Sequence, residues 1–158
     1  AEIVNAEDSD VVNDKLATVL NHCEKMKAVR PEYSTLIILD DVDVTKENKK
    51  ISLLFTNSRH YNISVIVGSQ NCAYFLNTTV RTNIDYLFFR KVENTYMKRL
   101  WEMTNTTMKL QEFKEWVQKN NKNYQFILFD NTEGADPEKK LKVVKSKLFK
   151  NLRLIITK

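Results

Sequence analysis

Glycine is almost absent: the 158 residues contain two, Gly68 and Gly134. A P-loop needs two glycines at a fixed spacing followed by Lys and Ser or Thr, and a dinucleotide-binding fingerprint needs three glycines close together. Neither fits inside this chain, so any nucleotide chemistry needs residues outside it. Cysteine is equally sparse. Cys23 and Cys72 stand far apart, with no CxxC and no nearby His pair, which excludes a zinc framework and a disulfide-dense secreted scaffold. A reducing compartment is the default. No apolar run approaches the roughly 18 residues of a transmembrane helix, and the start, Ala1-Glu2-Ile3, lacks the basic-then-apolar pattern of a signal peptide. It reads as a processed chain or an excised fragment. The length suits a single domain over 1–158 and is too short for two with independent cores.

What is present is the composition of a soluble globular protein, 42% hydrophobic and 28% charged. The net charge of +5 is unevenly placed: residues 131–158 hold eight Lys or Arg against three acids, leaving 17 of each sign in the first 130. The basic excess is therefore a C-terminal property. A nucleic-acid footprint spread over the whole domain is not supported, while a local one and a merely solvated lysine-rich face both stay open.

Val12, Leu16, Leu20, Cys23 and Met26 recur at helical spacing, which predicts an amphipathic helix capped by Ser9 or Asp10 and closed by Pro31. The continuous apolar run Leu36-Ile37-Ile38-Leu39 predicts a strand buried on both faces of a parallel sheet, ending in Asp40-Asp41. Lys46 to Tyr61 offers a helical face of Ile51, Leu54, Phe55 and Ser58, the crossover to a second strand, Ile63 to Val67. Tyr86 to Phe89 is a third strand. Residues 93–121 read as two helices split around Asn105-Thr106-Thr107, with Met97, Leu100, Trp101, Leu110, Phe113, Trp116 and Val117 as their apolar faces. Tyr124 to Phe129 is a fourth strand, and Leu152 to Ile156 could be a last one. Strands alternating with helix-length segments predict an α/β fold, a mainly parallel sheet flanked by helices.

Two adjacent carboxylates at the end of an apolar strand, Asp40 and Asp41, look like a Walker B motif. The first can hold magnesium, usually through water, and the second can orient or deprotonate an attacking water. The simpler alternative is a strand ending in turn-forming acids. Asp43 adds a third acid and is more simply a helix-entry residue. The order of the downstream segments sharpens the pattern: Arg59-His60-Tyr61-Asn62-Ile63-Ser64, then Gln70 beyond the second strand, then Val80-Arg81-Thr82-Asn83. Together these segments resemble the Walker B to sensor region of the DNA-packaging ATPases of poxviruses, other large nucleocytoplasmic DNA viruses and virophages. That family belongs to the FtsK–HerA group of P-loop motors, and the resemblance is strong over about Leu36 to Lys91.

The resemblance implies a partial P-loop NTPase core of RecA/FtsK-HerA type, the C-terminal part of an ATPase that uses ATP and Mg2+. It implies Asp40 as the magnesium residue, Asp41 as the acid that activates water, Gln70 as the polar sensor of the nucleotide, and Arg81 as an arginine that stabilises phosphoryl charge. Arg81 has a structural alternative, a salt bridge to Asp85 or to a helix C-terminus. It further implies double-stranded DNA as a partner, a homo-oligomeric ring, capsid or portal contacts, and a virion-associated place in host cytoplasm or viral factory. The missing P-loop departs from the family pattern, so this chain alone is expected not to hydrolyse ATP.

Arg59 and His60 precede a strand and so belong at the sheet end opposite Asp40. His60 reads as a strand anchor and Arg59 as a candidate DNA or subunit contact. The run Lys139 to Lys147, with Lys139, Lys140 and Lys142, alternates bases with apolar residues and could line a DNA channel or solubilise an edge strand. Two other functions compete with the motor. One is a non-enzymatic DNA-binding or assembly module derived from such an ATPase, and the other a metal-dependent nuclease using Asp40, Asp41 and Asp43.

Overall fold

The computed structural model describes residues 9–40, 49–70, 78–122 and 124–145. They divide into two compact units at the Ile84–Asp85 boundary.

In the first unit the 3.6-residue spacing of Leu16 and Cys23 forms helix α1 (Ser9–Val29), in which both side chains are buried. Ser9 and Asp10 are helical, and the residues that precede them lie outside the described ones, so the expected cap is not described. Strand β1 (Thr35–Leu39) follows, then α2 (Lys49–Asn57), a 3-10 turn (Ser58–Tyr61) and β2 (Ile63–Val67). The 3-10 turn ends at Asn62, whose φ of 53° is a left-handed conformation that Asn adopts readily. Asn62 also donates its amide to the carbonyl of Pro31 at 2.8 Å, tying the entry of β2 to the turn that precedes β1. β1 and β2 pair in parallel, Thr35 opposite Ile63 and Leu39 opposite Val67, as a helical crossover requires.

Both faces of β1 are expected to be covered, and among the described residues one is not. Ile37 is buried, but Leu36 and Ile38 are 57% and 62% exposed. A strand turns alternate side chains to opposite faces. Here the helices cover the Thr35/Ile37/Leu39 face, with the Cys23 thiol donating to the Thr35 hydroxyl at 3.3 Å. The Leu36/Ile38 face has no cover among the described residues. Ile51 and Leu54 of α2 are fully buried, and each such side chain contributes about 1.5–3 kcal/mol by leaving water. α2 also packs on the short helix α3 (Thr78–Arg81).

The second unit is built from β3 (Tyr86–Phe89), α4 (Asn94–Thr104), α5 (Leu110–Asn120), β4 (Gln125–Asp130) and β5 (Leu141–Lys145), with a 3-10 turn at Pro137–Lys139. Its sheet has the order β3-β4-β5 and is antiparallel throughout. A mainly parallel sheet therefore gives way to a parallel pair in one unit and an antiparallel triplet in the other. The connection explains it. One helix between strands reverses the chain twice, into the helix and out of it, and makes the strands parallel, whereas a hairpin of two helices adds a third reversal and makes them antiparallel. Here α4 and α5 are two helices of eleven residues each, and β4 starts where β3 stopped, with Phe89 opposite Ile127.

The helix pair is closed by the Trp101 indole N–H donating to the Met108 carbonyl at 2.8 Å. The Glu112 carboxylate accepts from the Lys109 backbone N–H at 2.9 Å, satisfying a donor at the start of α5. Met97, Leu100, Phe113 and Val117 are buried, as are Phe89, Ile127 and Phe129, and α5 packs on both α4 and β4, so the aromatic-rich spacing of 93–121 is a packing face. Thr104, buried at 2% exposure, donates its hydroxyl to the Trp101 carbonyl, so burial leaves that donor paired. Among the described residues β5 is one of the two edges of this sheet, and the alternation from Leu141 to Lys145 is that of a strand. The expected strand at Leu152 to Ile156 lies outside the described residues.

Candidate functional site

Parallel pairing brings the carboxyl ends of β1 and β2 side by side, the end at which open α/β sheets bind ligands. The last paired residues are Leu39 and Val67, and the Gly68 N–H donates to the Leu39 carbonyl at 2.8 Å. Asp40 therefore leaves β1 directly beside Gly68. A Cβ on Gly68 would stand 3.0 Å from Asp40 Oδ1, so a side chain there would crowd the carboxylate at the end of β2. Gly68 carried no role in the motif pattern; the signal was its place, one of two glycines in the chain at the end of a strand.

Asp40 is exposed, and Gln70, two residues beyond Gly68, is exposed at the same end of the parallel pair. The structure thus brings Asp40 beside Gly68, with Gln70 two residues further along the chain. Asp41 and Asp43 lie outside the described residues. Arg81 closes α3 and is half-buried. No group of three His, Cys, Asp or Glu side chains able to hold a metal occurs among the described residues. One accessible carboxylate nevertheless suits Mg2+, which keeps several waters and is bound through one or two carboxylates plus substrate phosphates.

Arg59 and His60 sit in the 3-10 turn before β2, where Ile63 pairs with Thr35. That is the sheet end away from Asp40. The His60 carbonyl accepts a hydrogen bond from the Lys27 ammonium, which anchors α1 to the start of β2.

Two of the three lysines nominated for DNA are in ion pairs. Lys139 pairs with Asp136 at 3.0 Å and Lys142 with Asp130 at 3.2 Å. Asp130 also accepts from the Thr132 hydroxyl at 2.7 Å. That bond, and after it the Lys142 ammonium, hold the Asp130 carboxyl below the usual carboxylate range. Lys140 contributes its carbonyl to the Asp130 N–H.

The family model for the Poxvirus A32 protein matches residues 2–150. The chain belongs to the Poxvirus A32 protein family. Among curated proteins, this A32-family chain is 27% identical over 107 residues to the uncharacterized protein 015R of Frog virus 3 (isolate Goorha). The match covers 64% of this chain and 32% of the relative, so the chain spans about a third of that relative's length. No helix among the described residues is long and apolar enough to cross a membrane.

Proposed function

We propose that this chain is part of a viral genome-packaging motor that couples ATP hydrolysis to movement of double-stranded DNA into capsids. Membership of the A32 family supports the reading, and the observation that carries it is the juxtaposition of Asp40 with Gly68, two residues before Gln70. In a Walker B arrangement the strand-end carboxylate and the polar residue of the neighbouring strand face one nucleotide, and here both emerge from one end of a parallel pair.

Asp40 would hold Mg2+ through its waters, and the bound ion would supply charge neutralisation at the phosphates. Asp41 would accept the proton of the attacking water, Gln70 would sense the nucleotide, and Arg81 would stabilise phosphoryl charge in its own or a neighbouring subunit. The chain holds no P-loop, so the backbone N–H groups that cradle phosphates would come from another segment of the complete protein. A ring of copies, capsid or portal contacts, and a viral-factory location complete the proposal.

The test is phosphate release by the complete protein with Mg2+ and ATP, with and without double-stranded DNA. Hydrolysis that rises when DNA is added is expected, and none under either condition overturns the proposal. Gly68→Ala refines it. The new Cβ pushes the Asp40 carboxylate aside, and because Asp40 is exposed it swings into solvent at little cost. Melting temperature should stay near wild type, as a change of about 0.5 kcal/mol implies. Hydrolysis should fall by up to about a hundredfold, the effect of a misplaced group. Unchanged hydrolysis would detach Asp40 from the chemistry.

A further inference from the structure

The two ends of the antiparallel sheet differ in charge and in how that charge is used. At the Tyr86/Asp130 end gather Asp85, Asp130, Glu133, Asp136 and Glu138, and two nearby lysines are spent in ion pairs with them. The other end is basic. Arg90 and Lys91 leave β3 there, Lys122 and Tyr124 lead into β4, and Lys145, opposite Gln125, ends β5. The nearest acid in sequence is Glu93. Lys91, Lys122 and Lys145 are exposed and make no ion pair among the described residues.

Arg90 is held in place at this corner. Its guanidinium carbon lies 5.7 Å from the centroid of the Tyr124 ring, within cation–π range, and that ring is 66% exposed. Its Nε is buried without a hydrogen-bond acceptor, and its other donors make no hydrogen bond among the described residues. A half-buried arginine with unfilled donors is a site waiting for an anionic oxygen, which guanidinium recognises better than an ammonium does. The backbone is unusual at the same place. Lys91 and Tyr124 have φ of 51° and 58°, and unlike Asn62 and Asn105 they are residue types that do not favour that region. Such conformations collect at functional sites.

From this corner we infer that Arg90, Lys91, Lys122 and Lys145 form a docking edge for the phosphate backbone of double-stranded nucleic acid, with Tyr124 positioning Arg90. The inference rests on the DNA-handling reading above and moves the contact from Lys139, Lys140 and Lys142 to the opposite end of the sheet. Contacts of this kind carry no sequence information and release counterions, so they are read from salt dependence.

The experiment is fluorescence anisotropy of the complete protein on a mixed-sequence DNA duplex over a range of salt concentrations. Two triple variants are compared with wild type: Lys91→Gln/Lys122→Gln/Lys145→Gln at the basic end, and Lys139→Gln/Lys140→Gln/Lys142→Gln at the other. The basic-end variant should bind at least about tenfold more weakly at low salt. Its log–log salt slope should be shallower by up to about 0.9 for each phosphate it no longer neutralises. The other variant should keep most of the affinity and slope. Exposed lysines carry no packing, so circular dichroism should match wild type in both. Tyr124→Ala should weaken binding where Tyr124→Phe, which keeps the ring, does not. An unchanged slope in the basic-end variant, or an equal loss in both triples, overturns the inference and leaves the motor reading standing. Wild-type protein that shows no salt-dependent binding overturns both.

Discussion

Asn in place of Asp41 in the complete protein is expected to lower kcat for ATP hydrolysis by roughly a hundredfold to ten-thousandfold, the range a general base contributes. Carboxylate and amide have nearly the same shape, so the fold should survive, but an amide cannot take a proton from water. Asp40→Asn removes a different property. It takes a full negative charge from the group proposed to hold Mg2+, so it should raise the Mg2+ concentration needed for half-maximal rate and weaken Mg2+-dependent nucleotide binding. Asp41→Asn should leave that requirement unchanged. Phosphate release measured across a Mg2+ titration separates the two. If Asp41→Asn hydrolyses at the wild-type rate, Asp41 is not the base. If both variants shift the Mg2+ requirement equally, the two acids serve as one metal site, which is the nuclease-like arrangement and not the motor one.

Those roles came from sequence order, and the structure shows which parts of that order were physically legible. Short apolar runs and helical spacing located β1, β2, β3, β4 and the helix pair, because burial imposes its pattern on the residues themselves. The pairing direction of β3 and β4 was not legible. It depends on whether one helix or two returns the chain, and the split at Asn105 was visible in sequence without its consequence for the strands. The exposed Leu36/Ile38 face was hidden for a similar reason: an apolar run reports that a strand can be covered on both sides, not that it is. The ion pairs of Lys139 and Lys142 were not legible either, because their partners Asp136 and Asp130 come from β4 and the following loop, and pairing is set by register. Asp40 beside Gly68 follows from parallel pairing and was implicit in the motif order. Arg90 on Tyr124 joins residues far apart in sequence, and no local pattern marks it.

The core of the second unit offers the largest test of stability. Phe113 is fully buried on α5, between α4 and β4, with Val117 one turn further and Ile127 and Phe129 on the strand. Phe113→Ala removes the ring and leaves a space that helices of this length cannot fully close around, which costs about 3–5 kcal/mol. A whole domain is stable by only about 5–15 kcal/mol, so this one change should consume a large share. For a unit of this size each kcal/mol shifts the melting point by about 4–8 °C, which places the expected fall at roughly 12 °C or more. Trp101 and Trp116, the two tryptophans of the chain, lie on α4 and α5, so tryptophan emission reports this unit directly. Phe113→Leu keeps most of the volume and should fall much less. If the tryptophan-detected melting point of Phe113→Ala stays within a few degrees of wild type, α5 is not held to the sheet by this ring and the described packing of the second unit is wrong.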